Sequence, residues 1–151
     1  MNLIFRRFKE TDRDAFAVMV KKFYAPPAVL HFPPEEVMMS CFDAALEIPE
    51  LVNGFVFECD GKIAGYAIVS MKFETEVGGM AAWIEELFVE EEFRGNGIGT
   101  LFFSFLAEEF KGRLKRIRLE VGDENDGAKN LYKRLGFEYL DYKQMVIDKN
   151  F

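Results

Sequence analysis

The residues of this 151-residue chain best suited to hold a ligand are Arg94-Gly95-Asn96-Gly97-Ile98-Gly99, set between an apolar strand-like run and a helical one. Glycines there let backbone N–H groups approach an anion closely, and the following helix points its dipole and unsatisfied first-turn amides at the same place. Arg94 can add a charge-assisted contact and Thr100 a hydroxyl, so the segment reads as a seat for phosphates. Its spacing argues against two nucleotide loops. A dinucleotide fingerprint counted from Gly95 and Gly97 needs a third glycine where Thr100 stands, and a P-loop needs a lysine between Gly99 and Thr100. Just upstream, Trp83-Ile84-Glu85-Glu86-Leu87-Phe88-Val89 carries two adjacent carboxylates in an apolar strand. Adjacent strand residues face opposite sides, so one of the two is expected to face a cleft. A carboxylate on a buried central strand is costly unless it is paired or at work.

Leu87-Phe88-Val89, a short acidic loop and Arg94 to Gly99 together resemble the acetyl-CoA signature of the GNAT family of N-acetyltransferases, Arg/Gln-x-x-Gly-x-Gly/Ala after the fourth strand. Downstream, Leu119-Glu120-Val121, Asn125, Ala128, Leu131-Tyr132 and Gly136-Phe137 resemble the family's next motif. The two motifs cover roughly the C-terminal half; the N-terminal half matches in element order. The resemblance implies a pyrophosphate of acetyl-CoA on Arg94, Gly95, Asn96, Gly97, Ile98, Gly99 and Thr100. It implies a pantetheine arm paired with the backbone of Leu87, Phe88 and Val89, and a cofactor contact at Asn125. Asn125 also reads as a helix N-cap, and the two roles are compatible.

Acetyl transfer to an amine requires a base for the ammonium proton, a donor for the oxyanion and an acid for the departing thiolate. The family's acidic strand motif, which spermidine/spermine acetyltransferases share, favours Glu85 as the base or the residue that positions water, with Glu86 next in line. Tyr132 matches the family's thiolate-protonating tyrosine, and a phenol is protonated at neutral pH. The oxyanion donor expected from the resemblance is the Leu87 N–H, exposed by a strand bulge. Residues Phe23 to His31 fall where the family builds its acceptor wall, so Tyr24, His31 and Glu85 are the candidate substrate contacts; His31 also reads as a plain loop histidine. Transfer is expected to be direct, without metal or covalent enzyme intermediate, since Cys41 and Cys59 lie outside the motifs. The expected acceptor is a small amine or polyamine, with a protein lysine or N-terminus as the competing class. A non-catalytic acyl-CoA sensor on the same fold is the alternative of a different kind.

The elements that must position these residues follow from pattern. Strand, two helices, three strands, helix, strand, helix and two strands give an α/β layer of α+β type, the GNAT acyl-CoA N-acyltransferase fold. About seven strands form a mixed, mostly antiparallel sheet flanked by four helices, in one domain over residues 1–151. Thr11-Asp12 offers N-cap chemistry for the first helix, Asp60-Gly61 a hairpin turn, and the last two strands fall near 137–141 and 144–148. A net charge of −7 disfavours nucleic acid and anionic membrane surfaces as partners. No apolar run approaches a membrane span or a signal peptide, which predicts a cytoplasmic protein. The family often dimerises, so a homodimer is among the expectations.

Overall fold

The computed structural model describes residues 1–25 and 32–148. The segment containing His31 lies outside the described residues. Five strands, β1 (Leu3–Arg7), β2 (Val52–Cys59), β3 (Lys62–Glu74), β4 (Gly79–Val89) and β5 (Leu114–Leu119), form one sheet in sequence order. All neighbours are antiparallel except β4 and β5, which run parallel. The turn between β2 and β3 uses Asp60 and Gly61 at φ 49° and 79°, the left-handed pair that matches the twist of a two-residue hairpin.

Helices cover both faces. On one face, α1 (Arg13–Phe23) buries Phe16, Met19 and Val20, and α2 (Glu35–Glu47) buries Met38, Phe42 and Ala45. Both sets recur at helical spacing, so each helix turns a single apolar stripe to the sheet. They pack on Val56, Tyr66, Ile68 and Phe88. On the other face, α3 (Ile98–Glu109) buries Ile98, Phe102, Phe103 and Leu106 against Phe55, Phe57, Ala67, Val69 and Ile84. The short α4 (Asp126–Arg134) adds Tyr132 at the edge of that second core. The heavy use of phenylalanine is explained by ring-on-ring packing across elements: Phe8 stacks on Phe42 at 4.9 Å and Phe16 meets Tyr66 edge-on at 4.8 Å.

Two expectations are corrected. Asp12 does not cap α1; its carboxylate takes two hydrogen bonds from Arg6 and one from the Lys9 amide, tying the end of β1 to the turn before the helix. The expected sixth and seventh strands do not form, and the described residues hold five strands rather than about seven. Residues 137–148 carry strand-favouring aromatic and β-branched side chains (Phe137, Tyr139, Tyr142, Val146 and Ile147), yet they take no strand pairing, and Tyr139, Tyr142, Met145 and Val146 are exposed. Strand patterning describes a surface that fits a pleat; it becomes a strand only where a partner edge accepts it. Among the described residues no helix is long and apolar enough to cross a membrane.

The β3–β4 approach is tight at Gly65, where an added Cβ would lie 2.2 Å from the Phe88 carbonyl oxygen. Because that obstacle is backbone, Gly65→Ala is expected to cost about 2 kcal/mol or more of stability by overpacking. Urea unfolding checks this, and an unchanged midpoint would refute the close packing.

Candidate active site

The centre of the site is an irregularity in β4. Ile68 pairs with Glu86 while the next residue, Val69, pairs with Ile84, so Glu85 is a bulged residue with no partner on β3. The extra residue inverts the alternation. Ala82 and Ile84 join the core under α3, as do Leu87 and Val89, whereas Phe88 packs under α1 and α2. Glu86 shares that second face through Tyr24 and Tyr66. Pairing between β4 and β5 also stops here, at Ile84 opposite Leu119. Beyond that point β4 keeps its ladder to β3 and, among the described residues, has no strand partner on the other side.

Which groups face the open edge follows from one hydrogen bond. Glu90 N–H donates to Ala64 C=O. The alternation of an antiparallel ladder then gives the β3-facing groups to Phe88 and Glu86 and turns those of Leu87 and Val89 outward. Val89 C=O accepts from Arg94 Nε at 2.8 Å, in agreement with that assignment. The bulge and outward Leu87 amide expected from the resemblance are thus present.

The glycine loop is built as its composition suggests. Gly95 and Gly97 adopt φ of 78° and 75°, and the space where their Cβ atoms would lie is open. Gly97 is the N-cap of α3 and offers no side chain, and the first intrahelical bond runs from Leu101 N–H to Gly97 C=O. The amides of Ile98, Gly99 and Thr100 precede it and are the free donors of the first turn. Asn96 donates to the carbonyls of Phe93 and Arg94, so its side chain braces the loop. Arg94 is exposed and its guanidinium lies over Phe88 at 5.8 Å.

A cleft of about 1170 Å³ opens beside β5 and α4. Its walls include Tyr24 and Glu85 together with Arg118, Lys129 and Tyr132. The structure therefore brings three of the candidate residues, Tyr24, Glu85 and Tyr132, to one cavity. The loop residues Arg94 to Thr100 and Asn125 do not line it. Glu85 and Val89 are four steps apart on β4, roughly 13 Å at the usual rise per strand residue, so the outward edge of β4 runs from the cleft toward the loop. Asn125 caps α4, its Oδ1 accepting the Ala128 N–H at 3.1 Å. Neither cysteine lines the cleft; burial pushes the Cys41 thiol up to about 12, which leaves it un-ionised at neutral pH.

The two glutamates have opposite environments. Glu85 is exposed, whereas Glu86 is buried and accepts the hydroxyls of Tyr24 and Tyr66, both at 2.7 Å. Burial raises the Glu86 carboxyl, the phenol hydrogen bonds act against that, and Glu85 adds to the rise. Burial also raises the Tyr132 phenol, keeping it protonated, and its ring packs edge-on against Phe103 and Phe137. Tyr66 was not singled out from sequence. The signal available was a tyrosine inside the apolar run Ala64 to Val69, since a buried phenol needs a partner.

Comparison with known proteins identifies a family. The model of the Acetyltransferase (GNAT) family matches residues 18–137. An uncharacterised N-acetyltransferase of Methanocaldococcus jannaschii is 43% identical over 86 residues, which is 56% of this chain and 38% of that protein. A spermine/spermidine N(1)-acetyltransferase of Bacillus subtilis is 28% identical over 86 residues, covering 53% of this chain and 55% of that protein. The match thus spans about half or less of the length of these curated relatives. Among solved structures, a possible acetyltransferase from Clostridium difficile 630 superposes with a TM-score of 0.83 over 100% of both chains at 19% identity, a likeness of fold.

Glu86 also makes a stability prediction. Its carboxyl titrates above the usual 4.5 in the folded chain, so the native state holds the proton more tightly than the unfolded one. That contribution is present below the unfolded value and is lost as pH rises through the folded one. Glu86→Gln removes the titration, so its stability relative to wild type should rise with pH across this window and level off above it. Urea unfolding as a function of pH checks the sign; a difference that is flat from about pH 4 to 8 would contradict it.

Proposed function

Because the chain belongs to the acetyltransferase (GNAT) family, we propose that it transfers the acetyl group of acetyl-CoA directly to a primary amine, a small amine or polyamine. One observation carries this reading: the unpaired edge of β4 leads from the cleft that holds Glu85 and Tyr132 toward the free amides that open α3. The residues fit the cofactor. Open space at Gly95 and Gly97 and the unsatisfied first-turn donors suit a pyrophosphate, and the outward groups of Leu87 and Val89 suit an extended amide chain laid along the strand. When bound there, acetyl-CoA supplies the activated acyl group.

Each remaining task falls to a named group. Glu85, exposed in the cleft, takes the ammonium proton directly or through water, which frees the nitrogen lone pair for attack. The Leu87 N–H, turned outward beyond the bulge, donates to the oxygen on which negative charge grows. Tyr132 is protonated, and its hydroxyl takes no hydrogen bond among the described residues, so its proton is available to the departing thiolate. Tyr24 contacts the acceptor. The Bacillus relative's name and the two carboxylates beside the cleft support a cationic acceptor. A protein lysine or N-terminus is the competing acceptor class.

The test is calorimetric binding of acetyl-CoA, followed by release of the CoA thiol over a panel of amines and lysine peptides. Tyr132→Phe and Glu85→Gln should each lower kcat about 100-fold, the usual worth of a general acid or base, with acetyl-CoA affinity nearly unchanged. Binding without turnover on any acceptor would replace the transferase with an acyl-CoA sensor. Absence of acetyl-CoA binding would remove both.

A further inference from the structure

Glu86 is 5% exposed, and among the described residues it makes no salt bridge. Its oxygens are held by two phenols: Tyr24 Oη donates to Oε1 and Tyr66 Oη to Oε2, each at 2.7 Å. Neutral donors offset only part of the cost of burying a charge, so the carboxylate remains electrostatically uncompensated. The three side chains are not equivalent. Tyr66 is fully buried and Glu86 does not line the cleft, whereas Tyr24 does. An ionised carboxylate can only accept, and each phenol has one proton. Tyr24 therefore gives its proton inward to Glu86, and what its oxygen has left for the cleft is lone pairs.

Of the cleft's cations, Arg116, Arg118 and Lys129 are paired elsewhere, and Lys133 on α4 makes no salt bridge among the described residues. Arg116 is bound by Glu74 and Glu76, Arg118 by Glu74, and Lys129 by Asp126. Arg118 also lies over the Trp83 ring at 4.4 Å. Glu85, next to Glu86, has no salt bridge among the described residues. Lys22 lies beyond, bound to Glu90. Glu85 and Glu86 thus place negative charge beside Tyr24, whose hydroxyl has committed its proton to Glu86 and has lone pairs left to offer.

We infer that Glu86 is a positioning residue that, by holding the Tyr24 proton, makes this part of the cleft select a protonated amine over an uncharged ligand of the same shape. Calling that ligand the acetyl acceptor rests on the function proposed above; the selection itself does not. Glu86 acts through Tyr24 and is not the base.

The test is calorimetric binding of 1,6-diaminohexane and of 1,6-hexanediol, equal in length and differing in charge, with and without saturating CoA. Wild type should bind the diamine at least about tenfold more tightly than the diol. Tyr24→Phe and Glu86→Gln should each shrink that ratio about tenfold, the worth of one hydrogen bond to a charged group. Tyr66→Phe removes a donor that never reaches the cleft, so it should keep the ratio while lowering stability. A network that is only structural would shift both ligands together, in Tyr24→Phe and Tyr66→Phe alike. That result, or a wild type without preference or without binding to either ligand, overturns the inference. Preference for the diamine with no thiol release on any amine would defeat the acetyl-transfer reading and leave this one standing.

Discussion

The bulge at Glu85 is the constraint on which the rest of the site depends. A regular β4 would place Ile84, Glu86 and Phe88 on one face and Glu85 and Leu87 on the other. With one residue left out of the ladder, Ile84 and Leu87 both enter the core under α3, and Glu86 and Phe88 both lie on the face of α1 and α2. Glu85 belongs to neither pattern and is free to face the cleft. The same point ends the pairing with β5. A single extra residue thus exposes a carboxylate and turns a second one inward, at the level where β5 ends and leaves a strand edge free.

Among the described residues two glutamates are buried, and the chain stabilises them differently. Glu74 lies beneath Arg116 and Arg118, and their hydrogen bonds and charge oppose the effect of burial, so its carboxyl falls below the usual value. Glu86 has only phenols, and burial prevails. The first arrangement joins β3 to β5 across β4 and reads as structural. The second leaves charge unneutralised next to a cavity, which costs stability without a comparable structural gain. Such a departure from internal balance is expected where a protein interacts with something outside itself.

Much of this was legible in the sequence because it rests on short-range chemistry. The Asp60-Gly61 hairpin, the glycine-rich entry to α3 and the capping of α4 by Asn125 each need particular residues at particular offsets, and each formed as those residues dictate. Long-range features were less accessible. Asp12 has good N-cap chemistry, but Arg6 on the neighbouring strand outcompetes the helix amides for its carboxylate. The patterned tail after Gly136 has strand composition and no accepting edge. The bulge was expected from family resemblance alone, because nothing local in Ile84-Glu85-Glu86-Leu87 says which residue the ladder will skip. The partnership of Tyr24, Glu86 and Tyr66 joins α1, β4 and β3, and its members are 62 and 20 residues apart in pairs.

The two helix starts beside the site show what stability alone would have favoured. α4 begins at Asn125, whose side chain accepts an amide of the first turn. α3 begins at Gly97, whose left-handed φ of 75° favours glycine and which offers no capping side chain. Asn, which tolerates a left-handed backbone better than other side chains, is already in use one residue earlier, bracing the loop from Asn96. The chain therefore has the capping residue at hand and leaves the amides of α3 open. The first turn of α3, free of its own side chains, stands at the end of the unpaired strand edge, so one open edge of β4 joins the loop to the cleft.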